Sequence, residues 1–543
     1  MSNKKYISFY YKIAHDPSIS VYSESENKFL CIELERLLNI RYLEDSIPEF
    51  YDDFILNYVK NILQENGFDE NFDVACFVRT DNITDDDLIN INIYKKYFNI
   101  KEVRFFNHHE SHAASSFYSS NFNESLIISY DGMGNDGNFA VFEADLINGI
   151  KKINKFSTTP LTLFYSYIGN YIDDIGIKNY NKSSLNVTIA GKLMGISAYG
   201  GYNKKMYDIF YQYFVTNTDK ANSNFDFAGI EKFLFEGLSS ILGEKNKKIY
   251  TYQEQYDLAY NIQLAFENFF IDLFKQYFNP HKHKNVCLSG GGALNVLLNE
   301  KLSKMYPDVN FHVPPNPNDC GLSFGALSLG VKRKIKDEIM YCGLPILDEE
   351  ILPNILMYRG AEEATPQLIA KEIYSGKIIG ICRNQSEIGP RALGNRSILA
   401  NPTMFNIKDD LNKKVKFREW FRPFAPICVE ENASEYFEIS KNVSYKYMSY
   451  SPKVKEQYRR YLPSITHIDG SSRLQTLNRN QNEYIYDILK EFEKLSGYPI
   501  LVNTSFNVRG NPILTHYQAA LQNLDSTQLD GIVLDKYYIK KTK

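Results

Sequence analysis

The feature that most constrains the fold is a unit that occurs twice. It consists of an apolar stretch of strand character, a polar turn carrying an aspartate, and a second such stretch. "KKYISFYYKIAHDPSISVYS" turns at Ala14 to Ser18, and "ESLIISYDGMGNDGNFAVFEA" turns at Asp131 to Gly137. Between and after them the spacing becomes helical. "IPEFYDDFILNYVKNILQENG" ends at Gly67, a C-cap, and Tyr256 to Phe278 forms a long amphipathic helix. "DVACFVR" and "VRFFNHH" add strands, and "NVCLSGGGALNVLLNEKLSKMY" reads as strand, glycine turn and helix. Strands that alternate with helices throughout predict the α/β class.

The repeated unit points to two related lobes, each aiming a turn at one ligand. The actin and sugar-kinase superfamily is built this way. A chain of 543 residues has room for more than one domain. Motif density falls around "CGLPILDEEILPN", which predicts a boundary near residue 345. Beyond it, "LIAKEIYSGKIIGICRNQSEIGPRALGNRS" reads as helix, strand and loop, and "YPILVNTSFNVRGNPI" as a strand entering a polar loop.

Three of the nine histidines fall within "FFNHHESHAASSF". Phe105 and Phe106 close a strand, Asn107 can cap, and "HHESHAASSF" favours a helix. On a helix His108 and His112 share a face, about 40° apart around the axis, while His109 and Glu110 point elsewhere. A zincin motif needs glutamate directly after the first histidine of such a pair, and here that position is His109. The protease reading therefore fails, but a two-histidine metal face survives. Asp131 and Asp319, the latter in "NPNDCG", are candidates to complete it, and helix-packing histidines are the alternative.

Three glycine turns lack side chains that would keep a phosphate away from the backbone. They carry Gly132, Gly134 and Gly137; Lys192 in "AGKLMGISAYG"; and Gly290, Gly291, Gly292 and Asn295 in "SGGGALN". None is a Walker A or Rossmann loop. Together, beside a possible metal face, they favour a nucleotide. Cations recur at loop mouths further on: Arg391, Arg396, Lys416, Arg418, Arg422, Arg473 and Arg509, with Asn503, Ser505 and Asn507 nearby. Guanidinium groups in that setting suit bidentate capture of phosphate or carboxylate oxygens, against surface ion pairs as the alternative.

Bulk properties exclude several classes. A net charge of -4 gives no electrostatic footprint for nucleic acid. Seven cysteines, an odd number without a CxxC pair, argue against a disulfide framework and for a reducing compartment. The start has no signal-peptide apolar region and no run is long enough to span a membrane, so a cytoplasmic protein is expected.

"NHHESHAASSF", "DGMGNDG", "AGKLMGISAYG", "LSGGGALN", "NDCGLSFGA", "EIGPRALGNRSILANP", "FREWFRPFAP", "DGSSRLQT" and "NTSFNVRGNPI" resemble, in that order, the signatures of the O-carbamoyltransferases of NodU and TobZ type. The resemblance covers nearly the whole chain. It implies a Kae1-like domain of the actin and sugar-kinase superfamily over residues 1–345 and a YrdC-like domain over 346–543. It also implies that the second domain forms carbamoyl adenylate from carbamoyl phosphate and ATP, with Mg accompanying the nucleotide. The first domain then passes the carbamoyl group to a hydroxyl of a small-molecule or glycan acceptor beside a metal, Fe(II) or another divalent ion.

Carried onto this chain, the metal ligands are His108, His112, Asp131 and Asp319. The family's HDxS turn matches His15, Asp16 and Ser18, with His15 and Asp16 as catalytic candidates beside Arg391 and Arg473. The glycine turns hold the nucleotide, and the arginine set with Lys416, Asn503, Ser505 and Asn507 holds carbamoyl phosphate. The sequence departs from the family at Ala14, at Pro17, and at Asn135, where relatives carry an acid; these departures bear on the acceptor side. Alternatives are a tRNA threonylcarbamoyl transferase or sugar kinase on the same N-terminal fold, and a non-catalytic nucleotide-binding protein. The C-terminal motifs argue against a kinase and the acidic balance against tRNA.

Overall fold

The computed structural model describes residues 3–11, 15–41, 50–79, 91–135, 137–154, 157–175, 188–219, 229–230, 232–233, 236–237 and 251–542. Ala14 and the expected start of the helix before residue 50 lie outside them.

The fold is mixed α/β with three sheets. The first holds β1 (Lys5–Tyr10), β2 (Ser18–Ser23), β3 (Lys28–Glu33), β4 (Asn71–Arg79) and β5 (Asn99–Asn107), in the order 3-2-1-4-5. The second holds β6 (Glu124–Tyr130), β7 (Phe139–Asp145), β8 (Gly149–Lys152), β9 (Asn285–Ser289) and β10 (Asn310–His312), in the order 10-9-6-7-8. Each is an antiparallel meander of three strands whose first strand pairs in parallel with a fourth, and the fourth with a fifth. The two sheets thus share one topology, and the repeated sequence unit is the first hairpin of each.

This duplication places the candidate residues. β1 and β6 are equivalent strands, so the turn bearing His15 and Asp16 and the turn bearing Asp131 leave equivalent strand ends. Helix α1 (Phe50–Glu65) precedes β4, and the chain leaves it through Gly67 at φ +73°, which only glycine adopts readily. Helix α2 (His108–Ser119) leaves β5 directly and carries the histidines. Helix α3 (Ile189–Ile196) carries Lys192. Helix α4 (Tyr252–Tyr277) begins four residues before its apolar periodicity suggests. Thr251 and Glu254 form a capping box there, which satisfies backbone N–H groups that the pattern alone does not count. Helix α5 (Val296–Met305) comes after the triple-glycine turn, and α6 (Leu322–Val331) after Asp319.

The third sheet is built from residues 362–540. It comprises β11 (Glu362–Glu363), β12 (Ile379–Cys382), β13 (Arg396–Ala400), β14 (Ala425–Val429), β15 (Gln475–Leu477), β16 (Ile500–Ser505), β17 (Gly531–Leu534) and β18 (Tyr537–Lys540), in the order 11-18-17-12-13-16-14-15. One apolar cluster runs from Leu126 and Ile128 through Phe266 and Phe270 to Ile398, Val502 and Ile532, so the second and third sheets share a continuous core. All seven cysteines are buried and unpaired. Among the described residues no helix is long and apolar enough to cross a membrane.

Candidate metal centre and anion pocket

Helix α2 starts without its expected cap. Asn107 has extended backbone, but its side chain makes no capping bond. Its Oδ1 accepts from Asn135 Nδ2 at 2.8 Å, and Asn135 Oδ1 accepts the His108 N–H at 3.2 Å. Asn135, the residue that departs from the family pattern, therefore ties the second hairpin turn to the first turn of α2. His109 points away from its neighbours, as the helical spacing requires. Its Nε2 lies 3.0 Å from the Gly137 carbonyl and its Nδ1 2.8 Å from Ser129 Oγ. A carbonyl only accepts, so Nε2 carries the proton and Nδ1 accepts from serine. Burial pushes this imidazole down to about 3, so it is neutral.

His108 and His112 turn their Nε2 atoms to one point. They lie 3.2 and 2.9 Å from Asp131 Oδ2 and 3.7 and 3.3 Å from Asp319 Oδ1. One ligand atom from each of the four residues falls within 4.8 Å of the others. The two histidines and Asp319 are buried. Asp131 Oδ1 is held by the N–H groups of Gly132 at 2.7 Å and Gly291 at 3.1 Å, which leaves Oδ2 for the imidazoles. Burial opposes charge on His112 and on Asp131. Their hydrogen bonds and fields outweigh it, lifting His112 to about 9 and holding Asp131 well below the usual carboxylate range. Two imidazole nitrogens and two carboxylate oxygens converging in a buried site fit a divalent transition ion.

Beside this centre, His15 Nδ1 lies 3.3 Å from Asp16 Oδ2 and 4.0 Å from Asp319 Oδ2. Burial disfavours its charge, but the hydrogen bond to Asp16 and the fields of Asp319, Asp16 and Asp131 raise it to about 10. Asn318 Nδ2 donates to Asp16 Oδ2 at 2.8 Å. Ser18 lies elsewhere, with its hydroxyl on Ser323 Oγ at 2.8 Å.

The glycine turns serve close packing. At Gly290, φ is +86° and a Cβ would stand 2.2 Å from the Tyr130 carbonyl; at Gly292 it would stand 2.2 Å from the Tyr130 ring. β6 and the triple-glycine turn are thus pressed together beside Asp131. Gly134 lies over the His109 ring, and Gly137 against the Ser157 backbone. Asn295 caps α5, accepting from the Leu298 N–H at 3.1 Å, and pairs with Gln263. Lys192 does not join these turns. Its Nζ lies 2.9 Å from Glu419 Oε1, which links α3 to the C-terminal region.

In that region Arg391, Lys416, Arg418, Arg422 and Arg473 form one electrostatic neighbourhood. Burial and mutual repulsion push Arg391 down to about 10, and hold Lys416, Arg418 and Arg473 well below their usual values. Arg41, which the sequence reading did not single out, adds its field to Arg391 and Lys416 from the N-terminal side. Among the described residues neither Arg391 nor Arg473 has an acidic partner in ion-pair reach, and Arg473 Nε is buried without a hydrogen bond. Arg391 lines a crevice with Ala293, Leu294, Pro315, Pro317 and Tyr447, between the triple-glycine turn and the loop before Asp319.

The remaining candidates each have partners within the protein. Arg396 is fully buried and donates to the carbonyls of Arg383, Asn384 and Asn395, bracing the loop before β13. Lys416 Nζ lies 2.6 Å from the carbonyls of Ser505 and Asn507 and from Asn507 Oδ1, and 3.2 Å from Ser505 Oγ, so it organises the loop after β16. Arg418 Nε donates to Asn412 at 2.7 Å, with its guanidinium 4.2 Å from the Phe424 ring centre. Asn503 donates to Gln475 at 2.7 Å, while its Oδ1 is buried without a partner. Arg509 Nη2 lies 3.7 Å from Glu419. Glu419 and Tyr10 were also missed. The signal for Glu419 was a lone acid inside a basic run; Tyr10 had none, because contact with Asp319 requires the fold.

A family profile described as carbamoyltransferase N-terminus matches residues 32–327, and one described as carbamoyltransferase C-terminus matches 370–541. Nodulation protein NolNO of Sinorhizobium fredii strain NGR234 is 32% identical over 456 residues, 81% of this chain and 64% of its own. The chain therefore spans less than two thirds of that relative. Nodulation protein NolO of Bradyrhizobium diazoefficiens is 30% identical over 80% of this chain and 79% of its own. An uncharacterised protein of Methanocaldococcus jannaschii is 30% identical over 97% and 98% of the two chains. With both profiles matched in order and such identity holding almost end to end, the chain belongs to the carbamoyltransferase family of enzymes.

Proposed function

We propose that the protein is an ATP-dependent O-carbamoyltransferase with two sites. The C-terminal region, YrdC-like from about residue 346, makes carbamoyl adenylate; the N-terminal region, Kae1-like over residues 1–345, transfers the carbamoyl group to a hydroxyl of a small-molecule or glycan acceptor. The observation that carries the reading is the pair Arg391 and Arg473, half-buried cations with no acidic group in ion-pair reach among the described residues, the Nε of Arg473 being buried without a hydrogen bond. Like charges gathered in one half-buried cluster repel one another unless an anion completes it, and carbamoyl phosphate is a small dianion.

In this reading Arg391, Arg422 and Arg473 bind the phosphoryl oxygens, while Lys416 holds Ser505 and Asn507 against the same space. One water enters as inorganic phosphate leaves, and the carbamate oxygen then displaces pyrophosphate from ATP. The crevice at Arg391 leads towards the triple-glycine turn, where the nucleotide lies against backbone. A mixed anhydride of this kind is hydrolysed by water, so passing it directly between the two sites favours transfer. At the second site the acceptor oxygen bonds to the carbamoyl carbon, the bond to AMP breaks, and the hydroxyl proton passes to the His15–Asp16 pair. A divalent ion held by His108, His112, Asp131 and Asp319 would polarise the carbonyl and offset the carboxylate fields that keep His15 charged.

The test is to incubate the protein with ATP and carbamoyl phosphate and measure pyrophosphate and phosphate. Release of both, dependent on both substrates, supports the reading. A phosphorylated acceptor with ADP, and no pyrophosphate, would support a kinase instead.

A further inference from the structure

Glu419 is the one acid among the described residues in ion-pair contact with the cation cluster. Its Oε1 lies 2.9 Å from Lys192 Nζ and 3.7 Å from Arg509 Nη2, and its Oε2 3.5 Å from Arg422 Nη1. Its side chain is 11% exposed and that of Lys192 7%. The contacts are unequal. The lysine contact is a charge-assisted hydrogen bond, whereas the arginine contacts are too long for one. Oε2 is buried and has no hydrogen bond at all. Burial works against the charge on Glu419, yet the Lys192 hydrogen bond, the residue's own backbone N–H and then the field of Arg422 hold its carboxyl below the usual range. Glu419 is thus an anion satisfied on one oxygen only. It faces Arg422 and Arg509 by attraction rather than by fit.

A phosphoryl group in the cluster offers the same arginines better geometry, with three oxygens and a second negative charge. A carboxylate or bicarbonate offers no more charge than Glu419 already supplies. We propose that Glu419 is a specificity-determining residue: an internal anion that occupies Arg422 and Arg509, is displaced by a phosphoryl dianion, and is not displaced by a monoanion. Lys192 keeps the displaced carboxylate in place, so the exchange needs no movement of α3. The inference rests on reading the cluster as the carbamoyl phosphate pocket, and it adds how that pocket excludes the monoanions around it.

The probes are inorganic phosphate, at a pH where it is a dianion, and acetate. Each is titrated calorimetrically into the full chain as wild type, Glu419→Asp, Glu419→Gln and Arg473→Ala. Glu419→Asp keeps the charge but withdraws the carboxylate from the arginines, which separates local competition from the general field. It also carries the test if the glutamine variant fails to fold. Wild type is expected to bind phosphate and not acetate. Both Glu419 variants should bind phosphate about tenfold more tightly, a change within the range of hydrogen bonds to charged groups, and should gain acetate binding. Phosphate affinity that is unchanged or weaker in Glu419→Asp, with acetate still excluded, overturns the proposal while the pocket stands. Absence of phosphate binding in wild type, with no effect of Arg473→Ala, removes the pocket and the proposal together.

Discussion

The Tyr10 hydroxyl donates to Asp319 Oδ2 at 2.5 Å, joining residues 309 apart in the chain. Burial and the nearby acids keep the phenol protonated, so it remains a donor. With Oδ2 taken, Asp319 presents Oδ1 to His112 and His108 at 3.3 and 3.7 Å. Tyr10 is therefore a positioning residue for the candidate metal centre. Tyr10→Phe should lower affinity for a divalent transition ion about 10- to 100-fold, as loss of a partner behind a ligand commonly does. Titration with Fe(II), Mn(II) and Zn(II) checks this. Unchanged affinity for all three would remove the role.

The two sites should separate under substitution. His112→Ala removes a candidate ligand nitrogen whose contacts are Asp131 and Asp319, neither of which pairs with Arg391 or Arg473. Metal content measured by elemental analysis should fall, while pyrophosphate release from ATP and carbamoyl phosphate persists and carbamoyl transfer to an acceptor is lost. Joint loss of both half-reactions would contradict the two-site reading.

Arg473→Ala should give the reverse pattern, with metal content retained and pyrophosphate release lost. Each charge-assisted hydrogen bond to an anion is worth about 1.5–3 kcal/mol, so phosphate affinity should drop at least about tenfold. Removing this cation also relieves repulsion on its neighbours, because Arg473 adds to the depression of Arg418. The variant should therefore melt no lower than wild type without ligand, and it should gain less from added phosphate. Thermal shift with and without phosphate measures both.

Much of this arrangement was legible in the sequence because it depends on local spacing. The His108–His112 face comes from helical period, and the equivalence of the two hairpins from the repeated unit. What was not legible depends on which groups the fold opposes. Lys192 sits between glycines in sequence but finds Glu419 in space. Arg396 looks like its neighbour Arg391, yet β13 turns it inward onto loop carbonyls. Asn107 has the composition of a cap, but Asn135 takes that role from another turn. Each outcome was decided by competition for a hydrogen-bond partner, and a chain read one residue at a time does not show the competitor.

His109 makes acid sensitivity predictable. Its folded pKa of about 3 lies below the ordinary value of 6.5. Between those values the unfolded chain binds a proton that the native chain does not. Its contribution is therefore complete above about pH 6.5 and drains as pH falls towards 3, by about 1.4 kcal/mol per pH unit. A cation at the neighbouring ligands pushes the same way. His109→Gln should be less stable at pH 7 but should lose less stability between pH 7 and 5. Chemical denaturation at the two pH values tests this, and equal losses in the two proteins would refute it.

Helices α2 and α6 approach each other so closely that a glycine is required between them. A Cβ added at Gly325 on α6 would stand 1.9 Å from the carbonyl oxygen of Ser111 on α2. That is backbone, so no side chain can rotate aside and the helices must part. Ser111 directly precedes His112, and α6 begins three residues after Asp319, so parting the helices separates a nitrogen ligand from an oxygen ligand. Overpacking of this kind costs about 1–3 kcal/mol. Gly325→Ala should therefore lower the melting temperature and weaken metal binding together, with phosphate binding in the C-terminal region unchanged. A variant that loses stability but keeps full metal affinity would show that the centre tolerates helix separation, and that its geometry is set by the hairpin turns rather than by the α2–α6 contact.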